Sequence, residues 1–146
     1  MPRYFTRDLA EQLLPTLEPE IRQAVHLNKD HRQAESELER IATRVRLAGG
    51  MLVDRDRLLA LRARRDAAAQ RLQEILESIQ SQGCHIKDLD SGLLDFPTLF
   101  RGEEVLLCWK LGEPRIVFWH GLDEGFRGRK EIDREFLENH RGEFAQ

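Results

Sequence analysis

Between residues 21 and 82 the chain contains no proline, phenylalanine, tyrosine or tryptophan, and its only glycines are the adjacent pair Gly49 and Gly50. Apolar and small side chains recur there at alternating spacings of three and four residues, which is typical of an α-helix that packs along one side. The spacing forms two series, over residues 14–45 and 58–79, on either side of the glycine pair. Because glycine allows the chain to reverse sharply, the sequence predicts a long antiparallel helical hairpin of the coiled-coil type.

The ends of the two helices carry their own signals. Thr6 precedes a helical pattern and is predicted to cap the start of a short first helix. Pro15 and Pro19 each lack a backbone N–H donor, so we expect a break or kink between residues 13 and 19. The first long helix then extends over residues 20–48, a length of ~43 Å at about 1.5 Å per residue. Gly83 stands where a glycine commonly ends a helix, after the second series.

After Gly83 the pattern changes to that of β-strands separated by turns. Short strands are predicted at 84–87 and 93–96, the second ended by Pro97. Residues 105–111 and 115–120 predict a hairpin in which the numbers of paired residues sum to about 226. The fold class is therefore α+β: a long antiparallel helical hairpin followed by a small antiparallel β-sheet unit.

The predicted fold divides the chain into three regions of one compact domain. Residues 1–82 hold the N-terminal helix and the hairpin, and residues 83–129 hold the small β unit. Residues 130–146 form a charged C-terminal tail with a short helix at 131–139, and we expect this tail to fray.

Composition excludes several classes of protein. No apolar run approaches the ~20 residues of a membrane span, so we expect no membrane partner. The net charge of −3 and the isoelectric point of about 6.0 argue against a nucleic-acid partner. The first residues carry charges where a secretory signal would be apolar, and Cys84 and Cys108 are too few for a disulfide framework. Both features favour a cytoplasmic protein. We expect Cys108 to be a buried apolar residue.

The helical seam is polar in its middle. If the reversal centres near residue 50, Glu35 lies near Arg65, and Asn28 and His31 face small residues of the second helix. Such a polar layer fixes the register of a helix pair, and the alternative is a ligand or metal bound against His31. Two helices alone bury little apolar surface, so we expect close docking of the β unit or a homo-oligomer. An alanine-rich face on the second helix favours a dimer that forms a four-helix bundle.

Carboxylates and a histidine cluster in the β unit. Three aspartates lie within eight residues, and a histidine at the end of an apolar strand is followed by two further acids. These side chains suit one divalent transition metal, Zn²⁺, Mn²⁺, Fe²⁺ or Ni²⁺, if enough of them converge. The candidate metal ligands are His120, Asp123, Glu124, Asp88, Asp90 and Asp95. The alternative for each aspartate is a turn cap, and the alternative for the histidine is a structural hydrogen bond to a carboxylate.

The same stretch carries a family resemblance. The segments KDLDSGLLDFP, EEVLLCWKLGEP and FWHGLDEGFRGR, with YFTRDLAEQLLPTLEP near the start, resemble a bacterial family catalogued as domain of unknown function 2203. The resemblance covers the chain to about residue 129 and implies the helical hairpin and the small β unit. It implies no activity, substrate or catalytic residue. The residues that match the family pattern are Asp88, Asp90, Asp95, Trp109, Glu113, Trp119, His120, Asp123 and Arg129.

Three of these residues are candidates for binding an organic ligand. They are Trp109, Trp119 and Arg129. The two tryptophans lie in apolar strands, which favours a place in the core over a ligand platform.

Two functions follow from these observations. The first is a non-enzymatic interaction module that self-associates through its helical hairpin and presents the β unit to a protein partner. The second is a divalent-metal-binding protein, with a metal-dependent hydrolase as its catalytic form. Catalytic residues stay unassigned, because the sequence has no glycine-rich phosphate loop and no nucleophile elbow. The second function requires the carboxylates of residues 88–95 to lie within ligand distance of His120.

Overall fold

The computed structural model describes residues 3–50, 52 and 54–142. Its first two elements are helix α1, Arg7–Leu47, and helix α2, Arg55–Ser81, which pack against each other. The chain reverses between them through Gly49 and Gly50, whose φ angles of +67° and +111° are costly for any residue with a Cβ. The predicted antiparallel helical hairpin is confirmed.

The predicted helix ends are confirmed as well. The hydroxyl of Thr6 accepts a hydrogen bond from the Leu9 N–H at 3.1 Å and caps α1. At the other end of the hairpin, Gly83 follows the C-cap residue Gln82 and has a φ of +99°.

The predicted break at the prolines is wrong, since α1 continues through both Pro15 and Pro19. Both rings lie on the exposed side of the helix, where water can bond the carbonyls that lose an intrahelical donor. The opposite side is held by the buried residues Leu14, Leu17 and Ile21. Packing of this buried side therefore outweighs two missing backbone hydrogen bonds.

The remaining described residues form a six-stranded antiparallel sheet and two short helices. Strands β1 to β5 lie side by side in the same order as they occur along the sequence, and β6 pairs with β2. The strands are β1 His85–Asp88, β2 Leu93–Phe100, β3 Glu103–Lys110, β4 Phe118–Gly121, β5 Lys130–Glu131 and β6 His140–Arg141. A 3₁₀ turn at Phe126–Gly128 lies between β4 and β5, and helix α3, Arg134–Asn139, lies between β5 and β6.

The predicted register of the central hairpin is confirmed. Leu107 pairs with Trp119 and Cys108 with Phe118, so the paired numbers sum to 226. The second strand starts at residue 118, however, and not at 115 as predicted. The Glu113 carboxylate accepts the Lys110 N–H at 2.6 Å, which ends the ladder early and opens a wider loop.

Pro97 does not end β2, contrary to the prediction. The N–H and C=O of one antiparallel strand residue point to the same side of the strand. The carbonyl of Pro97 accepts a hydrogen bond from the Phe5 N–H at 2.7 Å, on the side of β2 away from β3. The donor that proline lacks would point to that same side, between β1 and β6, so no bond of the β2–β3 ladder is lost.

The C-terminal tail is folded where we expected it to fray. Through Gly142 it supplies β5, α3 and β6, and only residues 143–146 of the predicted tail lie outside the described residues. Phe136 of α3 is 1% exposed and its ring stacks on Phe100 and Trp119 at centroid distances of 4.8 and 4.9 Å. This aromatic contact holds the tail on the sheet despite its charged composition.

The core lies between one face of the sheet and the base of the helical hairpin. Leu94 and Phe96 of β2 and Leu107 and Trp109 of β3 are all buried in it. The helices contribute the buried residues Leu14, Leu17, Ile21 and Ala24 of α1 and Ile75 and Ile79 of α2. We call this side of the sheet the inner face and the opposite side the outer face. Side chains alternate between the two faces along each strand.

The hairpin extends beyond this core as a two-helix arm, defined here as residues 28–50 of α1 and its turn and 54–71 of α2. Its seam buries Ala34, Leu61 and Ala68. Glu35 and Arg65 form the predicted cross-helix ion pair at 3.2 Å. Within the described residues, no helix is both long enough and apolar enough to cross a membrane.

Two glycines with similar backbones test how tightly the turn between β1 and β2 packs on the end of β3. An alanine Cβ at Gly92, φ +71°, would lie 2.8 Å from the Leu111 Cβ, whereas one at Gly102, φ +83°, would meet no atom within 4 Å. Both substitutions pay about 1–2 kcal/mol for the left-handed backbone. Gly92→Ala should therefore cost about 1–3 kcal/mol more than Gly102→Ala in urea unfolding, because it also overpacks the core. Equal losses would contradict this close packing of Gly92 on Leu111.

Candidate functional site

The outer face of the sheet buries a polar cluster at its centre. Asp95 of β2 stands directly opposite Cys108 of β3, and His120 of β4 reaches across β3 toward them. The three residues are 2%, 0% and 0% exposed. A carboxylate oxygen, the thiol sulfur and an imidazole nitrogen all lie within 4.8 Å of one another. We call these three residues the outer-face cluster.

Both nitrogens of the His120 ring have partners. Nδ1 lies 2.8 Å from the Gly121 carbonyl oxygen, and Nε2 lies 3.0 Å from Asp95 Oδ1. A carbonyl can only accept, so Nδ1 carries a proton and donates it. The contact between Nε2 and Oδ1 then needs one further proton, held by either partner. The pair is electrically neutral in both forms, so its complete burial costs less free energy than burial of an unpaired charge.

The Cys108 thiol is held in its protonated form. Burial, followed by the nearby Asp95 carboxylate, raises its pKa to about 12. A nucleophilic cysteine needs a lowered pKa or a free base beside it. Here both ring nitrogens of His120 are occupied by Asp95 and Gly121. The cluster in this state therefore does not supply a cysteine nucleophile.

The loop after β4 folds back beside the cluster and is anchored by Arg129. The Arg129 guanidinium lies over the Phe118 ring at 4.0 Å and over the Phe126 ring at 4.8 Å. It donates to the Glu113 carboxylate at 2.6 Å and to the Cys108 carbonyl at 3.4 Å. The Arg129 side chain is only 9% exposed, and its contacts join the loop to the sheet.

The two tryptophans lie on the inner face of the sheet. Trp109 is 1% exposed, and its indole N–H donates to the Glu113 carbonyl at 2.9 Å. Trp119 is half-buried between Phe100 and Phe136, with the Lys130 ammonium 4.7 Å above its ring. These positions correspond to the core placement, which the sequence favoured over a ligand platform.

Asp88 and Asp90 are not part of the cluster. The Asp88 carboxylate accepts the Ser91 hydroxyl at 2.6 Å and the Asp90 N–H at 3.2 Å, so it caps its own turn. The Ser91 hydrogen bond is the main cause that lowers the pKa of Asp88. Asp90 reaches α1 instead, where it pairs with Arg32 at 2.6 Å. Asp88 thus follows the turn-cap alternative, Asp90 forms an ion pair with α1, and neither converges on His120.

Asp123 and Glu124 are also not among the side chains that meet in the cluster. Asp123 is exposed. Glu124 accepts the Gly121 N–H at 2.9 Å and an ion pair from Lys130, and the Lys130 contact is the largest cause that lowers the pKa of Glu124. Of the six predicted metal ligands, the structure brings together Asp95 and His120 only.

Cys108 is the member of the cluster that sequence reasoning missed. The predicted register already placed Cys108 and His120 on one face of the sheet, and this is the signal that could have found it. Asp95 could not be added, because ending β2 at Pro97 left its pairing with β3 unassigned. Asp95 in fact pairs directly with Cys108.

The helical arm holds a second candidate region. An open groove of about 500 Å³ runs between its two helices near the turn. Its floor is apolar, and its rim carries charges of both signs. The floor is formed by Leu38, Ile41, Ala42, Val45 and Leu58, and the rim by Glu35, Glu39, Arg46, Arg62 and Arg65.

Together these features define the class of the protein: an α+β chain with a helical hairpin on the inner face of an antiparallel sheet and a buried carboxylate–thiol–imidazole cluster on the outer face. The chain belongs to the family described as an uncharacterized conserved protein, DUF2203, whose family model matches residues 3–132. The resemblance seen in the sequence is confirmed. No curated protein and no solved structure matches the chain.

Thiol chemistry tests the burial of both cysteines. Burial raises the pKa of Cys84, like that of Cys108, to about 12, so at pH 8 only ~10⁻⁴ of each thiol is ionised. We expect no thiol of the native protein to react with Ellman's reagent within minutes, and both to react after unfolding in guanidinium. Rapid reaction of one thiol in the native protein, assigned with a Cys84→Ser variant, would contradict this description.

Proposed function

We propose that this protein is a non-enzymatic interaction module of the cytoplasm that self-associates as a dimer through its helical arm. The observation that carries the proposal is the apolar groove of the arm, which lies outside the core formed by the helical hairpin and the sheet. Leu38, Ala42 and Val45 line this groove and keep part of their surface exposed. A second hairpin placed on this side would cover them.

The arm is suited to present this groove as a fixed surface. Cross-helix ion pairs join Asp30 to Arg64 and Glu35 to Arg65 and hold α1 and α2 in register. The Arg64 hydrogen bond lowers the pKa of Asp30, so this pair stays charged well below neutral pH. Each exposed pair contributes little to stability, about 0–1 kcal/mol, but its geometry limits sliding of the helices.

Two helices without further cover are a marginal structure. An isolated helix pair gains stability from tertiary packing of its apolar side, and four-helix bundles provide that packing with the same spacing of apolar residues. The rim of the groove carries Glu35, Glu39 and Arg46 along α1 and Arg62 and Arg65 along α2, and Glu35 pairs with Arg65 and Glu39 with Arg46 within one chain. Apposition of two copies with α1 over α2 would bring Glu35 and Glu39 of one copy near Arg62 and Arg65 of the other.

Other features support the remaining parts of the proposal. Cys84 and Cys108 are both free and buried, as suits a reducing compartment. Their raised pKa values and the closed hydrogen bonding of His120 favour a role without catalysis. A protein partner of the β unit remains part of the proposal, at the exposed apolar side chains Leu122 and Phe126.

Light scattering coupled to size exclusion tests the dimer. We expect a mass about twice the 17.1 kDa of the chain at micromolar concentration. Ala42→Glu places a charge on the groove floor and should return the protein to monomer. Leu59→Glu is the matched control, because Leu59 is 52% exposed and does not line the groove.

Thermal unfolding of both variants shows whether a loss of dimer is simply a loss of fold. A wild-type mass equal to one chain across the micromolar range would overturn the proposal. So would an Ala42→Glu variant that is folded and still dimeric.

We propose divalent-metal binding as a second function, on a separate observation. Asp95 Oδ1 and His120 Nε2 lie 3.0 Å apart in the buried outer-face cluster, so a carboxylate of the predicted set does come within ligand distance of the histidine. Metal content by mass spectrometry tests this function, on protein purified without an affinity column or chelator. About one equivalent of a single transition metal is expected, and His120→Ala should lose it. Metal far below one equivalent, with no binding of added Zn²⁺, would overturn it.

A further inference from the structure

We propose that Asp95, Cys108 and His120 together form a Zn²⁺-type site with three protein ligands, in which Cys108 binds as a thiolate and the ion joins three strands of the sheet. The inference rests on the second proposed function and adds to it the third ligand, the metal class and a structural role. Cys108 was outside the ligand set expected from the sequence, and the argument for it comes from the geometry of the outer face.

The first step concerns the orientation of His120. Its Nδ1–H donates to the Gly121 carbonyl at 2.8 Å, which leaves Nε2 as the nitrogen directed at Asp95. Histidines that bind metals characteristically donate the second ring N–H to a carbonyl or carboxylate, and this bond fixes the ring and its tautomer. His120 therefore already has the outer hydrogen bond that an Nε2 ligand requires.

The second step concerns spacing. In a tetrahedral Zn²⁺ site with Zn–N and Zn–O bonds of about 2.0–2.1 Å, the two ligand atoms lie about 3.3 Å apart. Nε2 and Oδ1 are 3.0 Å apart, and the Cys108 sulfur falls within the 4.8 Å that contains all three ligand atoms. Shifts on the order of 1 Å or less would bring all three to bonding distance. A proton now occupies the space between imidazole and carboxylate.

The third step concerns charge. Without metal, Asp95 and His120 share one proton and the pair has no net charge, while the Cys108 thiol holds a second proton. Binding of Zn²⁺ releases both protons, and the ion then faces one carboxylate, one thiolate and one neutral imidazole. The charges are balanced before and after, so the sheet never buries a net charge.

The fourth step concerns metal class and role. Thiolate and imidazole together favour Zn²⁺ over Mg²⁺ or Mn²⁺, which prefer oxygen ligands. The ligands come from β2, β3 and β4, so one ion would tie the three central strands across their outer face. All three residues are at most 2% exposed, and Arg129 anchors the adjacent loop on the Cys108 carbonyl. The three residues leave a fourth position for a water molecule or for the second Asp95 oxygen. Because the ion would be enclosed, a substrate has no access to that position, and the site is structural.

Co²⁺ is the probe for the thiolate, because Co²⁺ bound to a cysteine thiolate gives a charge-transfer absorption that oxygen and nitrogen ligands alone do not give. We would titrate Co²⁺ into the full chain after chelator treatment. The expected result is one equivalent bound, with the charge-transfer band and release of two protons per ion. Cys108→Ser should abolish the band, and Asp95→Asn should weaken binding because it removes a charged ligand.

Cys84→Ser is the matched control, since Cys84 is equally buried but its thiol donates to the Ile79 carbonyl. This variant should keep the band. Circular dichroism in the absence of metal establishes that each variant is folded. Because serine is close to cysteine in size, Cys108→Ser separates loss of the ligand from loss of the core.

The outcomes separate this inference from the function on which it rests. Stoichiometric Co²⁺ binding without the band, or with a band that survives in folded Cys108→Ser, overturns the role of Cys108 and leaves metal binding in place. No binding of Co²⁺ or Zn²⁺ to the folded wild type overturns both. The site is established if Co²⁺ binds with the band in wild type and in Cys84→Ser, and the band is absent from Cys108→Ser.

Discussion

Leu94 and Phe96 on β2, and Leu107 and Trp109 on β3, are all buried against the base of the helical hairpin. This packing fixes the register of the sheet, since a slip of one residue would move every one of these side chains to the opposite face. The residues that alternate with them along each strand must therefore lie on the outer face. Asp95 and Cys108 are placed on the outer face because their neighbours are needed on the inner one.

A buried polar cluster on the outer face carries an energetic risk that an apolar one would not. Removing one partner of a buried charged pair leaves the other uncompensated, and this costs about 3–5 kcal/mol, whereas an apolar replacement of the pair is often neutral. The neutral sharing of a proton between Asp95 and His120 reduces this cost in the metal-free protein. A bound ion of the proposed kind would keep the same charge balance and add bonds between strands, which gives the polar cluster a physical reason to be present.

The helical hairpin and the central register could be predicted from the sequence because both are periodic and local. Glu35 meets Arg65, and Leu107 meets Trp119, as the spacing indicated. The errors arose where tertiary contacts override a local signal. Pro97 continues its strand because the Phe5 N–H bonds its carbonyl, and no periodicity could indicate a partner 92 positions away. Two of the three cluster residues, Asp95 and His120, could be recognised as candidate ligands by residue type, but the pairing of Asp95 with Cys108 depends on β2 extending past that proline.

The acidic turn that first suggested a metal site has a different use in the structure. Asp88 shapes the turn through Ser91, while Asp90 reaches Arg32 and, at 3.4 Å, Asn28 at the start of the helical arm. Surface ion pairs of this kind add at most about 1 kcal/mol, so their effect is on geometry more than on stability. The turn connects the sheet to the arm at the point where α1 leaves the core. Through Arg32 and Asn28 the turn joins the sheet, which holds the outer-face cluster, to the arm, which holds the groove, while the side chains of the two regions remain separate.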